Sequence, residues 1–148
     1  DSALLLNAQQ PAVAVLLVVL PDNGFGAAIA VVGLSDKPDR PSYRVAAYLQ
    51  KQGYEIVPVN PRVSEVLGQK AYDQLTDVDR KIDVVDIFRR SEDVPPVVDE
   101  ALEAFPELET IWMQMGITNA EAAAKAEARG VDVIQDRCPK MEIPRLMG

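Results

Sequence analysis

Ala28-Ile-Ala-Val-Val-Gly-Leu-Ser-Asp-Lys-Pro-Asp-Arg-Pro-Ser-Tyr-Arg-Val45 opens with an unbroken apolar run, Ala28 to Val32, that stops at Gly33. A polar, proline-bearing loop follows, and Pro41-Ser42 marks the start of a helix, with Ser42 as the expected cap. A buried strand, a glycine turn and a helix start in this order make the first half of a mononucleotide-binding unit. Such a turn brings backbone N–H groups and the positive end of a helix dipole to one point, which suits phosphate. Lys37, Arg40 and Arg44 add positive charge around the same loop, and a guanidinium pairs with phosphate through two hydrogen bonds.

Working outward, Tyr43, Val45, Ala46, Ala47 and Leu49 recur at helical spacing until Gln52-Gly53 closes the helix. Tyr54 to Val59 reads as a second strand, stopped by Asn60-Pro61, and Ile82 to Phe88 as a third, ending in Arg89-Arg90. Between them Val63 to Leu75 is irregular, with helical turns expected around Ser64–Val66 and Tyr72–Leu75. Ser91 to Ala104 reads as a helix, because Pro95 and Pro96 fall in its first turn. Thr110 to Met115 is a fourth strand, Asn119 to Arg129 an alanine-rich helix ended by Gly130, Val131 to Ile134 a fifth strand, and Asp136 to Leu146 a closing segment. Strands alternating with helices give an α/β fold: one doubly wound, Rossmann-like domain with a five-stranded parallel sheet, expected order 3-2-1-4-5. The domain is expected over residues 28–148. Residues 1–27, with an apolar Pro11–Leu20 too short to cross a bilayer and no Lys or Arg before Lys37, are read as an arm or helix packing on it.

The bulk numbers narrow the chemistry. The 148 residues are 48% hydrophobic and 26% charged, with a formal net charge of −8. That balance argues against nucleic-acid or acidic-membrane binding, so an anionic ligand must meet a local basic cluster. No histidine is present, which removes the commonest general base and metal ligand. No metal-ligand spacing appears among the acids. Asp83 and Asp86 flank the third strand and are expected to pair with Lys81 or Arg89. The single cysteine, Cys138, suits a reducing, cytoplasmic setting. It reads as a small buried hydrophobe, the alternative being a thiol that forms a mixed disulfide with its ligand.

In a doubly wound sheet the ligand lies beyond the carboxyl ends of the strands. The residues there are Gly33-Leu-Ser35, Asn60-Pro-Arg62, Phe88-Arg-Arg90, Gln114-Met-Gly-Ile117 and Gln135-Asp-Arg137. The G-x-G-x-x-G fingerprint fails, since its later glycines fall on Ser35 and Pro38. An NAD site wants a carboxylate after the second strand, whereas Asn60, Pro61 and Arg62 stand here. That disfavours NAD and suits a ribose bearing a phosphate, as in NADP or coenzyme A.

Six ordered blocks carry a resemblance: Ala30–Ser35, Arg40–Val45, Gly53–Pro61, Ile82–Arg89, Trp112–Ile117 and Asp136–Cys138. Together, over about residues 28 to 146, the chain resembles the small stand-alone CoA-binding proteins. These are single Rossmann-type domains similar to the CoA-binding domain of the succinyl-CoA synthetase alpha subunit. The resemblance implies a site in which Gly33, Leu34 and Ser35 face the pyrophosphate by their backbone, and Arg40, Ser42 and Arg44 add contacts. It places Val59, Asn60 and Pro61 beside the adenosine, Arg62 near the ribose phosphate, and Phe88 and Arg89 on the adenine side. Gln114, Gly116 and Ile117 would line the path of the pantetheine. The synthetase's phosphorylated histidine has no counterpart. The implied function is non-catalytic binding of coenzyme A or an acyl-CoA, in a regulatory or carrier role; the alternative is an NADP-dependent oxidoreductase. A third reading makes the chain an interaction subunit that regulates a partner enzyme, with Ala12–Leu20 covering that neighbour.

Overall fold

The computed structural model describes residues 27–138; the expectations for the arm and for the end of the closing segment lie outside them. Seven strands are formed: β1 (Ala28–Val32), β2 (Glu55–Val59), β3 (Glu65–Val66), β4 (Gln69–Lys70), β5 (Val84–Ile87), β6 (Thr110–Met113) and β7 (Asp132–Ile134). Three helices lie between them: α1 (Pro41–Lys51), α2 (Val94–Ala104) and α3 (Ala120–Ala128). β2-β1-β5-β6-β7 form one sheet, parallel throughout. The expected α/β fold with a five-stranded parallel sheet is borne out.

Strand alternation divides the core in two. Ala28, Ala30 and Val32 of β1, with Val85 and Ile87 of β5, meet Val94, Val98 and Ala101 of α2 and Ala122, Ala123 and Ala126 of α3. On the other face Ile29, Val31, Ile56, Val84 and Trp112 meet Val45, Ala46 and Leu49 of α1. Both faces of the sheet are therefore apolar, as a doubly covered parallel sheet requires. Asp83 pins the start of β1, its Oδ2 accepting from the Ala28 N–H at 2.9 Å.

Four expectations are corrected. The strand read over residues 82–88 does not lie beyond β2. It pairs with β1 on the side opposite β2, and a lone parallel bridge from Tyr72 to Val59 extends the sheet past β2 instead. With Tyr72 counted as the third strand the order runs 3-2-1-4-5, and β7 follows as a sixth. The helical turns expected within residues 63–75 are replaced by an antiparallel hairpin, β3–β4, and a 3-10 turn at Leu75–Asp77. Leu67 and Gly68 take φ of 53° and 77° at the hairpin tip, the geometry that matches the strands' twist. Leu-Gly gives no cue of the Asn-Gly kind, and the turn is held by Gln50 Nε2 donating to the Leu67 carbonyl at 3.0 Å. Ser42 lies inside α1 rather than capping it. Arg40 is the cap residue and Pro41 opens the helix, where a missing N–H leaves no helical bond unmade. Asp86 is not paired with Arg89, as its surroundings below explain.

Candidate ligand-binding cleft

β1 is flanked by β2 and β5, which the chain reaches by crossovers in opposite directions. A crevice opens where the connections diverge. A cleft of about 730 Å³ occupies this place. Its walls come from the loop after β1 and the start of α1, the loop after β2, the segment after β5 and Ile117 after β6.

Gly33 turns the chain out of β1 with φ +88°. A Cβ there would overlap the Phe88 carbonyl oxygen and the Arg89 guanidinium, so only glycine permits this approach. The Gly33 N–H donates to the Val59 carbonyl at 2.8 Å, and the Phe88 N–H to that of Val32, also at 2.8 Å. The three loops are thus registered on one another by main-chain bonds.

The serines act differently from expectation. Ser42 Oγ accepts the Ser35 N–H at 3.0 Å, and Ser35 Oγ accepts the Lys37 N–H at 3.0 Å. The Gly33 amide is therefore taken by the end of β2 and the Ser35 amide by the first turn of α1. In exchange each hydroxyl has an acceptor position filled by an amide, and its O–H is left to donate. Asn60 joins two loops, with Nδ2 donating to the Leu34 carbonyl at 3.0 Å and Oδ1 accepting the Arg62 N–H at 2.9 Å.

Of the residues singled out from sequence, Gly33, Ser35, Arg40 and Ser42 line the cleft, as do Asn60, Arg62, Phe88, Arg89 and Ile117. Leu34 and Val59 are core residues at 0% and 3% exposure, and Gln114 is turned inward. Arg44, Pro61 and Gly116 are exposed but outside the lining. The cleft also takes in Asp36, Lys37, Pro41, Val63 and Arg90. The signal for Lys37 is its charge in the loop after β1, and for Arg90 its charge at the end of β5; Val63 has none, because nothing local in the sequence marks the hairpin that follows it. Five cations, Lys37, Arg40, Arg62, Arg89 and Arg90, face a single lining carboxylate, Asp36. Arg90 is bound to Asp93 at 3.1 Å, while Arg40 and Arg62 are exposed and form no ion pair among the described residues.

On the β6 side of the cleft the loops are tied together. Ser91 Oγ accepts from Thr118 N–H at 3.1 Å, and the Ser91 carbonyl from Asn119 Nδ2 at 3.1 Å. Asn119 N–H donates to Gln135 Oε1 at 2.8 Å and Gly116 N–H to Asp136 Oδ1 at 2.6 Å. Behind this edge lies Asp86, 1% exposed in mid-β5. Its Oδ1 accepts from Gln114 Nε2 at 2.7 Å, while Oδ2 has no partner among the described residues. Burial pushes its carboxyl up to about 7, against the opposing effect of the Gln114 hydrogen bond. Cys138 is half-buried against the cluster that holds Trp112.

Residues 27–144 match the family model of the CoA binding domain. The chain belongs to that family. Within this CoA-binding domain family, it is 48% identical over 113 residues to the uncharacterized protein YneT of Bacillus subtilis, covering 76% of this chain and 82% of that one. A solved structure of a hypothetical protein from Pyrococcus horikoshii is 33% identical, with a TM-score of 0.81 over 95% of this chain and 92% of that one. An ADP-forming acetate–CoA ligase of Archaeoglobus fulgidus is 28% identical over 86 residues, 57% of this chain but only 13% of the ligase. This CoA-binding domain thus corresponds to a small part of that ligase's length. The resemblance read from the six blocks is borne out.

Proposed function

We propose that the protein binds coenzyme A, free or acylated, in this cleft, as a non-catalytic module with a regulatory or carrier role. The carrying observation is the gathering of five cations against one carboxylate around the Gly33 turn, in a chain of net charge −8. The family match favours coenzyme A over NADP as the phosphorylated nucleotide. The diphosphate lies against the Ser35 and Ser42 hydroxyls and Arg40, with Arg89 beside Gly33. The adenosine sits between Asn60 and Val63, and Arg62 meets the ribose phosphate. The pantetheine leaves toward Ile117. In this reading the binding domain spans residues 28–148. The single cysteine fits a reducing cytoplasm, and a protein partner would read the ligand as its signal.

Calorimetric titration with coenzyme A, dephospho-CoA and NADP tests this. Coenzyme A is expected to bind, and dephospho-CoA more weakly by about 1–3 kcal/mol, the scale of a charge-assisted hydrogen bond. Negligible heat from all three overturns the proposal.

A further inference from the structure

Resting on the coenzyme A reading of the cleft, we infer that Asp86 takes up a proton when the anionic ligand binds, so that the site senses a buried charge its ligand never touches. Three observations support this. Asp86 is buried in the middle of β5 with one carboxylate oxygen unpartnered among the described residues. An ionised carboxylate there is shielded from solvent and has no donor for that oxygen among the described residues, which favours the neutral form. The same strand runs directly into Phe88 and Arg89, which line the cleft. Asp86 is also paired in register with Val31, two residues before Gly33.

The surroundings supply no compensating cation. Alternation puts Asp86 on the α1 face with Val84 and Phe88. Its neighbours across the sheet are Val31 of β1 and Trp112 of β6, with Gln114 as its hydrogen-bond donor. α1 presents Val45, Ala46 and Leu49 to this face, while its Arg44 and Lys51 are exposed. The titratable groups on this side are Tyr43, Tyr48, Tyr54 and Cys138, and none is cationic in either of its forms. The Arg89 guanidinium lies at Gly33 and bonds the Phe88 carbonyl. No ion pair reaches Asp86 among the described residues.

A phosphate bound at the level of Gly33 stands roughly 7–10 Å along the strands from this carboxyl, from the rise of about 3.3 Å per residue. At an effective dielectric near 20, one negative charge at that separation opposes another by about tenfold or more in affinity. The bound anion and the ionised carboxylate therefore disfavour each other, and binding draws in a proton. The carboxyl's raised titration range, about 7, places this exchange near neutrality.

The test is calorimetry of coenzyme A binding in two buffers of different ionisation enthalpy, on wild type and on Asp86→Asn, since the difference removes the ligand's own proton release. A tenfold coupling predicts that the wild type takes up about half a proton more than the variant near pH 7.5. Affinity of the wild type relative to the variant should fall about tenfold from pH 6 to pH 9. Equal proton uptake in both proteins, with tight binding in both, overturns the inference and leaves the coenzyme A reading intact; absence of binding in the wild type overturns that reading itself. Infrared difference spectra of the wild type on addition of coenzyme A provide a variant-free check. Loss of a carboxylate band with gain of a protonated carboxyl band supports the inference, and an unchanged carboxyl region refutes it.

Discussion

Replacing Asp86 by Asn should make the apoprotein's stability rise relative to wild type as the medium turns alkaline. An unfolded aspartate releases its proton near 3.8, whereas Asp86 in the folded chain keeps it up to about 7. Between those values the folded state holds one proton more than the unfolded state, so raising pH draws the equilibrium toward unfolding. The separation is about three units at 1.36 kcal/mol each, which makes a full-scale effect of up to about 4 kcal/mol. Below both values the carboxyl is neutral in either state and the penalty vanishes; above both it is complete. Asn is neutral at every pH and still offers Oδ1 to Gln114. Any fixed difference between the amide and the protonated acid cancels when only the change with pH is compared. Urea unfolding followed by the single Trp112, which is 1% exposed, gives the free energies directly. Between about pH 5 and about pH 8 the variant's advantage should grow by about 2.5 kcal/mol. A difference that stays flat, or shrinks, would refute the account of a carboxyl stranded in the sheet.

Gly33→Ala should destabilise by about 2–4 kcal/mol in the same assay, because it combines a positive φ with overlap on Phe88 and Arg89; a cost under about 0.5 kcal/mol would contradict the close approach. Ser42→Ala should leave the Ser35 amide without its acceptor, lowering stability by about 1 kcal/mol and coenzyme A affinity about tenfold; unchanged calorimetric affinity would remove the hydroxyl from the site. Asn119→Ala should cost about 1–2 kcal/mol in thermal unfolding, since it loses both the α3 cap to Ala122 and the bond to the Ser91 carbonyl; an unshifted midpoint would show the cap to be idle.

The strand, the glycine turn and the basic strand ends could be read directly, because each is a local pattern: an apolar run, a positive φ and charge beside Gly33. The position of β5 was harder. Val84-Val85-Asp86-Ile87 fits either edge of a parallel sheet, and only its pairing with β1 decides between them. The hairpin at Glu65–Lys70 depends on Gln50, distant in the chain, so Leu67-Gly68 looked like any loop. Asp86 misled for a related reason. A carboxylate two residues from the strand end usually meets a nearby arginine, but alternation turns it into the interior while Arg89 folds back over Gly33. Ser42 likewise has the residue type of a cap, but its hydroxyl is bound to the Ser35 amide from inside the helix.

The central place of β1 bears on how the chain is born. Emerging from the ribosome before the other strands of its sheet, β1 can acquire β2 within the first half of the described residues, yet its other edge stays open until residues 84–87 appear. That edge is wholly apolar in side chain, Ala28 to Val32 being buried throughout in the finished domain. Distant pairings of this kind are slow to close, and an unpaired strand edge invites pairing with a neighbouring chain. A nascent chain paused before Val84 therefore presents a sticky half-sheet, and synthesis of β5 is the step that conceals it.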